Sequence, residues 1–149
     1  MPVSSCLIDS NILLRWVQPQ LPSYSVIQTA IDTLTKWDAQ LCYTSQNLGE
    51  FWNTCTRPVD RNGFGLTPEE TDTRARIIEA KLQFLADAEA VHEVWRKMLV
   101  KHDISGVQVH DARLVASMQV HGISHILTFN TRDFTRYSQI IAIHPQEVK

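Results

Sequence analysis

Short apolar segments alternate with longer segments of helical hydrophobic spacing along the whole chain, and this alternation is the strongest constraint on the fold. The apolar segments predict strands over residues 3–8, 41–44, 123–129 and 140–143. The intervening segments predict helices over residues 12–17, 23–38, 45–57, 67–85, 90–102 and 111–121. Strands that alternate with helices and are apolar throughout are typical of a parallel sheet covered on both faces. The sequence therefore predicts an α/β fold.

Capping residues mark the expected ends of several of these helices. Thr67–Pro68–Glu69–Glu70 is a strong helix start, with a capping Thr, a Pro at the first position and a Glu at the third. Ser23 or Ser25, and then Ser45, are the expected caps of two earlier helices, and Gly122 is the expected C-terminal cap of the last one. With 149 residues, no repeat and no linker, the chain is expected to form one domain spanning 1–149.

Composition narrows the class of protein. Hydrophobic residues make up 44% and charged residues 20%, as in a globular protein, and a net charge of −2 argues against a general nucleic-acid coat protein. No segment is long enough to span a membrane and no signal peptide is evident, so we expect a cytoplasmic protein. The three cysteines lack metal-ligand spacing and are expected to be buried free thiols, and the four tryptophans are expected in the core.

Four acidic residues carry the functional prediction: Asp9, Glu50, Asp111 and Asp133. Asp9 follows the first strand and Asp133 follows a later one, and in parallel sheets functional sites lie beyond the carboxyl ends of the strands. Converging carboxylates repel one another unless a cation binds, and a site made only of oxygen ligands selects Mg²⁺ or Mn²⁺ over zinc. Metal ions held in this way are common in phosphodiester hydrolysis.

Each acid also has a structural interpretation. Asp9 is equally consistent with a helix N-cap, Asp111 suits the first turn of a helix, and Asp133 fits a cap for a turn over residues 134–137. Glu50 is the hardest to explain structurally, because Phe51 and Trp52 beside it indicate unusually apolar surroundings. The four together favour one site over four coincidences.

Polar neighbours complete the predicted site. Ser10 and Asn11 follow Asp9, while Asn47 and Asn53 lie three residues on either side of Glu50 and share its helical face. Thr128 and Asn130 are two residues apart where the chain leaves its strand, so their side chains are expected on the same side. The candidates for binding flanking phosphates are Arg57, Arg61 and Arg132, for which a solvated surface position is the alternative.

The order of these motifs resembles the PIN-domain ribonucleases, especially VapC-type toxins of bacterial toxin–antitoxin pairs. The matching stretches are LIDSNILLR, TSQNLGEFWNTCTRP, HDARLVASMQVHGISHILTFNTRDFTRY and IIAIHP. The resemblance implies a three-layer α/β/α sandwich and Mg²⁺- or Mn²⁺-dependent endonucleolytic cleavage of RNA. It assigns the metal to Asp9, Glu50, Asp111 and Asp133, and it implies a homodimer and a separate antitoxin protein as partner. Many members carry an acid where this chain has Asn130, so Asp133 is the alternative fourth carboxylate.

Two other functions stay open at this point. One is a PIN-like module that binds RNA or protein without cleaving. The other is a Mg²⁺-dependent phosphatase of the haloacid-dehalogenase kind, which also begins with a strand and an Asp. That chemistry needs a second Asp two residues later, where this chain has Asn11, and a catalytic Lys that we do not identify.

Overall fold

Five parallel strands form a single sheet at the centre of the computed structural model, which describes residues 3–149. The strands are β1 (Ser5–Ile8), β2 (Gln40–Thr44), β3 (Gln83–Leu85), β4 (His125–Leu127) and β5 (Ile141–Ile143). Their order in the sheet is β3-β2-β1-β4-β5, so the first strand is central. All four residues of β1 are buried, as its apolar sequence predicts. The predicted α/β fold with a parallel sheet is confirmed.

Six α-helices cover the sheet within the described residues. They are α1 (Ser10–Trp16), α2 (Tyr24–Lys36), α3 (Ser45–Thr56), α4 (Pro68–Lys81), α5 (Glu89–Lys101) and α6 (Gln108–His121). Successive side chains of β1 point to opposite faces, so Cys6 and Ile8 join a core with α1 to α4, whereas Leu7 joins a second core with α5 and α6. The two cores make the α/β/α sandwich. None of the described helices is long and apolar enough to cross a membrane.

Two predictions about helix ends were wrong. The helix predicted to reach residue 85 ends at Lys81, and Gln83–Leu85 pair with β2 as an edge strand. A strand of three residues is too short for an alternating pattern to be recognised in the sequence. In addition, Thr44 rather than Ser45 caps α3, because the Thr44 hydroxyl accepts the Asn47 main-chain N–H at 3.1 Å.

The predicted helix caps, cysteines and tryptophans can be compared with the structure one by one. Thr67 and Glu70 form the predicted capping box of α4, and Gly122 ends α6 with a φ of 71°, a conformation that favours glycine. The three cysteines are buried and free. Trp16 is buried, but Trp37 is 38% exposed, because it follows the last residue of α2 and lies beyond the helix face that packs on the core. The core prediction was therefore wrong for Trp37.

Candidate active site

Asp9 lies immediately after the central strand, where its carboxylate is fixed by two hydrogen bonds. The Ser10 main-chain N–H donates to Oδ1 at 2.8 Å, which makes Asp9 the N-cap of α1. The Thr128 hydroxyl donates to Oδ2 at 2.8 Å. Thr128 follows β4, the neighbour of β1, so adjacent strand ends hold this side chain from both sides. The capping interpretation of Asp9 is confirmed, and it leaves the other lone pairs of both oxygens free.

Burial makes Asp9 an unusual carboxylate. Its side chain is almost enclosed, and desolvation raises its pKa from 3.8 to about 6 even though Thr128 and Ser10 stabilise the charged form. The negative charges of Glu50 and Asp133 raise the pKa further. A buried carboxylate with no cation partner is destabilising, so this position favours a positively charged ligand.

Glu50 reaches the same region from α3. The Ser10 hydroxyl donates to Glu50 Oε1 at 2.7 Å, and the Asn47 side-chain amide lies 3.4 Å from the same hydroxyl. Glu50 itself is exposed, so the expectation of apolar surroundings was wrong. The reason is helical geometry: Phe51 and Trp52 are one and two positions along and point to other faces of the helix.

Asn47 is the residue of this network that the sequence prediction undervalued. It is fully buried, and its Oδ1 accepts both the main-chain N–H and the hydroxyl of Thr44, each at 2.9 Å. It therefore connects the end of β2 to Ser10 and, through Ser10, to Glu50. The spacing of three residues before Glu50 was the available signal. Asn53, on the other side, is exposed and makes no hydrogen bond to the four acids within residues 3–149.

Asp111 and Asp133 complete the group. Asp111 is half-buried in the first turn of α6, and its pKa is raised to about 6 by desolvation and then by the charges of Asp9, Asp133 and Glu50. Asp133 is exposed and lies inside a 3₁₀ turn, Thr131–Phe134, rather than capping the turn predicted after it. The charges of Asp9, Glu50 and Asp133 all act on Asp111, so acids from four separate segments lie in one region of the structure.

The acids are not packed into a ready-made metal cage. No three Asp, Glu, His or Cys side chains of residues 3–149 lie together closely enough to hold a metal ion by themselves. Mg²⁺ commonly keeps several waters and uses only one or two protein carboxylates, so an open group of oxygen ligands around a buried Asp fits this ion. The absence of His or Cys from the group disfavours zinc.

The polar residues after β4 organise the strand ends. Thr128 is fully buried, and its hydroxyl also accepts the Asn130 main-chain N–H at 3.0 Å. Asn11 bridges the same segment, because its side chain lies 3.4 Å from both the Thr128 hydroxyl and the Phe129 main-chain nitrogen. The Asn130 side chain is exposed. These contacts hold the end of β4 against α1.

The three arginines predicted to bind phosphate differ in their surroundings. Arg57 donates to the Asn62 carbonyl at 3.0 Å and so fastens its own loop. Arg61 is exposed in the 3₁₀ turn Val59–Arg61, and Arg132 is exposed beside Asp133. Of these, Arg132 shares a turn with one of the acids.

Solved structures with a similar fold come from toxin–antitoxin systems. VapBC2 from Rickettsia felis, bound to a promoter DNA fragment, superposes with a TM-score of 0.69 at 15% identity, covering 94% of this chain and 98% of that one. A DNA-bound VapBC from Salmonella typhimurium gives 0.67 at 17% identity, covering 95% and 98%. VapC20 from Mycobacterium tuberculosis, a toxin that cleaves the sarcin–ricin loop, gives 0.65 at 15% identity, covering 89% and 95%. At these identities the likeness establishes the fold.

The family of this chain is identified by comparison of its sequence with family models. No curated protein matches this chain significantly. The family model of the PIN domain, however, matches residues 6–140. This span includes all four acids and the strands β1 to β4 apart from Ser5, the first residue of β1, and it ends just before β5. The chain belongs to the PIN domain family.

Proposed function

We propose that this chain is a Mg²⁺- or Mn²⁺-dependent endoribonuclease, formed by a single domain over residues 1–149. The observation that carries the proposal is the electrostatic coupling of Asp9, Glu50, Asp111 and Asp133, with the pKa values of Asp9 and Asp111 both raised to about 6. Such a group is costly without a cation and is typical of functional sites. Family membership supports a nuclease over the phosphatase alternative.

In this proposal Asp9 and Asp111 hold the metal, with Glu50 and with Asp133 or Asn130 completing its shell directly or through water. A Mg²⁺ or Mn²⁺ ion held there would supply positive charge for a phosphate oxygen and a bound water of lowered pKa. Thr128 and Ser10 fix the Asp9 carboxylate, since each donates at 2.8 Å. The Ser10 hydroxyl orients Glu50, and Asn47 supports Ser10. Arg132, exposed in the same turn as Asp133, would bind a flanking phosphate.

We also propose that the chain acts as a toxin whose activity a separate antitoxin protein inhibits, and that it forms a homodimer in the cytoplasm. The support is the fold shared with VapBC complexes from Rickettsia felis and Salmonella typhimurium. Size-exclusion chromatography after co-expression with the product of an adjacent short reading frame tests for both the antitoxin and the second copy of this chain. A monomer that binds no such product would refute this part of the proposal.

The second candidate is a non-catalytic RNA-binding module. The uncharged side chain of Asn130 and the open spacing of the carboxylates favour it. RNA cleavage by metal-loaded wild type, Glu50→Gln and the exposed control Glu93→Gln separates the two candidates. Gln keeps an acceptor for Ser10 but removes the charge, so we expect cleavage to fall by about a hundredfold in Glu50→Gln and to be unchanged in Glu93→Gln. Wild type that cuts no RNA with either metal would favour the binding module.

A further inference from the structure

The first turn of α6, which carries Asp111, begins without a side-chain cap. Val107 occupies the N-cap position, and its side chain makes no capping hydrogen bond. The first N–H groups of the helix make only short-range bonds, such as that from His110 to the Val107 carbonyl at 3.1 Å. Because helix ends fray when nothing caps them, the place of Asp111 depends on contacts from other elements.

Two side chains from neighbouring helices hold the main chain just before Asp111. The Gln46 amide nitrogen, on α3, donates to the His110 carbonyl at 2.8 Å. The Trp95 indole nitrogen, on α5, donates to the Val109 carbonyl at 2.8 Å. Both carbonyls lie within α6, and each has a second lone pair for the helical hydrogen bond. The two consecutive peptide groups that lead into Asp111 are thus each fixed from a different helix.

The Trp95 ring is itself held in place by its neighbours. The Arg113 guanidinium lies over the ring, 5.9 Å from its centroid, and the His92 ring lies at a tilt with its centroid 5.8 Å away. Arg113 in turn faces the carboxylate of Asp87, which follows β3, at 3.5 Å. These contacts restrict the rotation of the indole, so its N–H keeps a defined direction towards α6.

Gln46 connects the helices of two predicted metal ligands. It lies four residues before Glu50 on α3, so the two side chains share one face of that helix, and its amide reaches the helix of Asp111. Gln46 Oε1 is buried and has no hydrogen-bond partner among the described residues, which costs stability. The net contribution of Gln46 to folding is therefore small, and its hydrogen bond acts mainly on the geometry of the site.

We infer that Gln46 and Trp95 are positioning residues, which hold Asp111 where it can share a divalent metal ion with Asp9. The inference rests on the proposed metal-dependent function and adds two residues that act through the main chain of α6. Mg²⁺ accepts a narrow range of ligand positions, and a displacement of about 0.5 Å is enough to impair a site. Loss of either donor releases one of the two peptide groups, and so it should lower the affinity for metal without unfolding the protein.

Gln46→Met and Trp95→Phe are the test variants, since each removes one donor and keeps an apolar side chain of similar shape. The matched controls are Gln146→Met and Trp37→Phe, because both residues are exposed and Trp37 lies before β2, whereas Asp9 lies after the parallel strand β1. Isothermal titration calorimetry should show Mn²⁺ affinity about tenfold lower in each test variant and within about twofold of wild type in each control. The melting temperature of each metal-free variant should stay within about 5 °C of the wild-type value.

RNA cleavage provides a second readout. At limiting Mn²⁺ the test variants should cut about tenfold more slowly than wild type, and saturating Mn²⁺ should restore the rate to within about threefold with an unchanged KM for RNA, because the reacting groups are intact.

Unchanged Mn²⁺ affinity in either test variant would overturn the inference and leave the nuclease proposal standing. An affinity loss accompanied by a fall in the metal-free melting temperature beyond that margin would also overturn it, because the role would then be structural. Weaker Mn²⁺ binding by the test variants of a protein that cuts no RNA would instead overturn the nuclease proposal and leave the positioning assignment standing. A wild type that binds no Mn²⁺ would overturn both.

Discussion

Removing the charge of Asp9 should stabilise the metal-free protein, although the residue makes two short hydrogen bonds. Burial, opposed by Thr128 and Ser10 and reinforced by Glu50 and Asp133, raises the Asp9 pKa from 3.8 to about 6. The folded state therefore binds this proton more tightly than the unfolded state does, and stability falls as pH rises from about 4 through 6. A pKa raised from 3.8 to about 6 corresponds to a penalty of about 3 kcal/mol above pH 7.

Asn imitates the protonated form of Asp9, so Asp9→Asn should increase the free energy of unfolding of the metal-free protein. We expect a gain of about 2–3 kcal/mol at pH 8, shrinking to less than about 1 kcal/mol at pH 4, where wild type is itself protonated. Relief of the repulsion on Asp111 acts in the same direction. Urea unfolding followed by tryptophan fluorescence measures both values, with Asp60→Asn as the exposed control.

A metal-free Asp9→Asn protein less stable than wild type at pH 8 would refute this reasoning. So would a difference that is the same at pH 4 and pH 8, because a pH-independent effect would come from packing or hydrogen bonding and not from the charge.

Three further predictions address other residues of the site and the buried cysteines. Asp133→Ala should lower metal-dependent RNA cleavage more than Asn130→Ala does, with little change in melting temperature for either, and equal losses would contradict the assignment of Asp133 as the fourth carboxylate. Asn47→Ala should cost about 1–3 kcal/mol in urea unfolding, because it leaves a buried main-chain amide at the start of α3 without an acceptor, and it should also reduce cleavage. The three thiols should react with Ellman's reagent only after unfolding, since they are buried and burial raises the pKa of Cys42 and of Cys55 to about 11; fast reaction of the native protein would contradict this.

The sequence was informative wherever one local pattern had one structural outcome. The apolar run before Asp9 predicted the central strand, and Thr67 with Glu70 predicted a capping box, because both signals depend on neighbouring residues alone. The strand Gln83–Leu85 was not predicted, because its pairing with β2 is a long-range contact and a segment of three residues has no recognisable strand pattern. Tertiary pairing overrode the helical reading of this segment.

The site was predictable in its residue types but not in its arrangement. The acids Asp9 and Asp111 were found from their positions at element starts, yet which of them is buried depends on the packing of β4 and α6. Exposure of Glu50 and burial of Asn47 follow from the rotation of α3, which its sequence does not fix to within one residue.

The central claim is that the four acids form one divalent-metal site, and metal-linked stability tests it most directly. The melting temperatures of wild type and Asp9→Asn are measured at pH 8, each with and without millimolar Mg²⁺ or Mn²⁺, to compare the metal-bound with the metal-free protein. Metal at about 100 times its Kd should stabilise folded wild type by about 2.7 kcal/mol, and most of that gain should be lost in Asp9→Asn even though its metal-free form is the more stable of the two. A wild type whose melting temperature does not respond to either ion, or an Asp9→Asn variant that responds as strongly as wild type, would contradict the account.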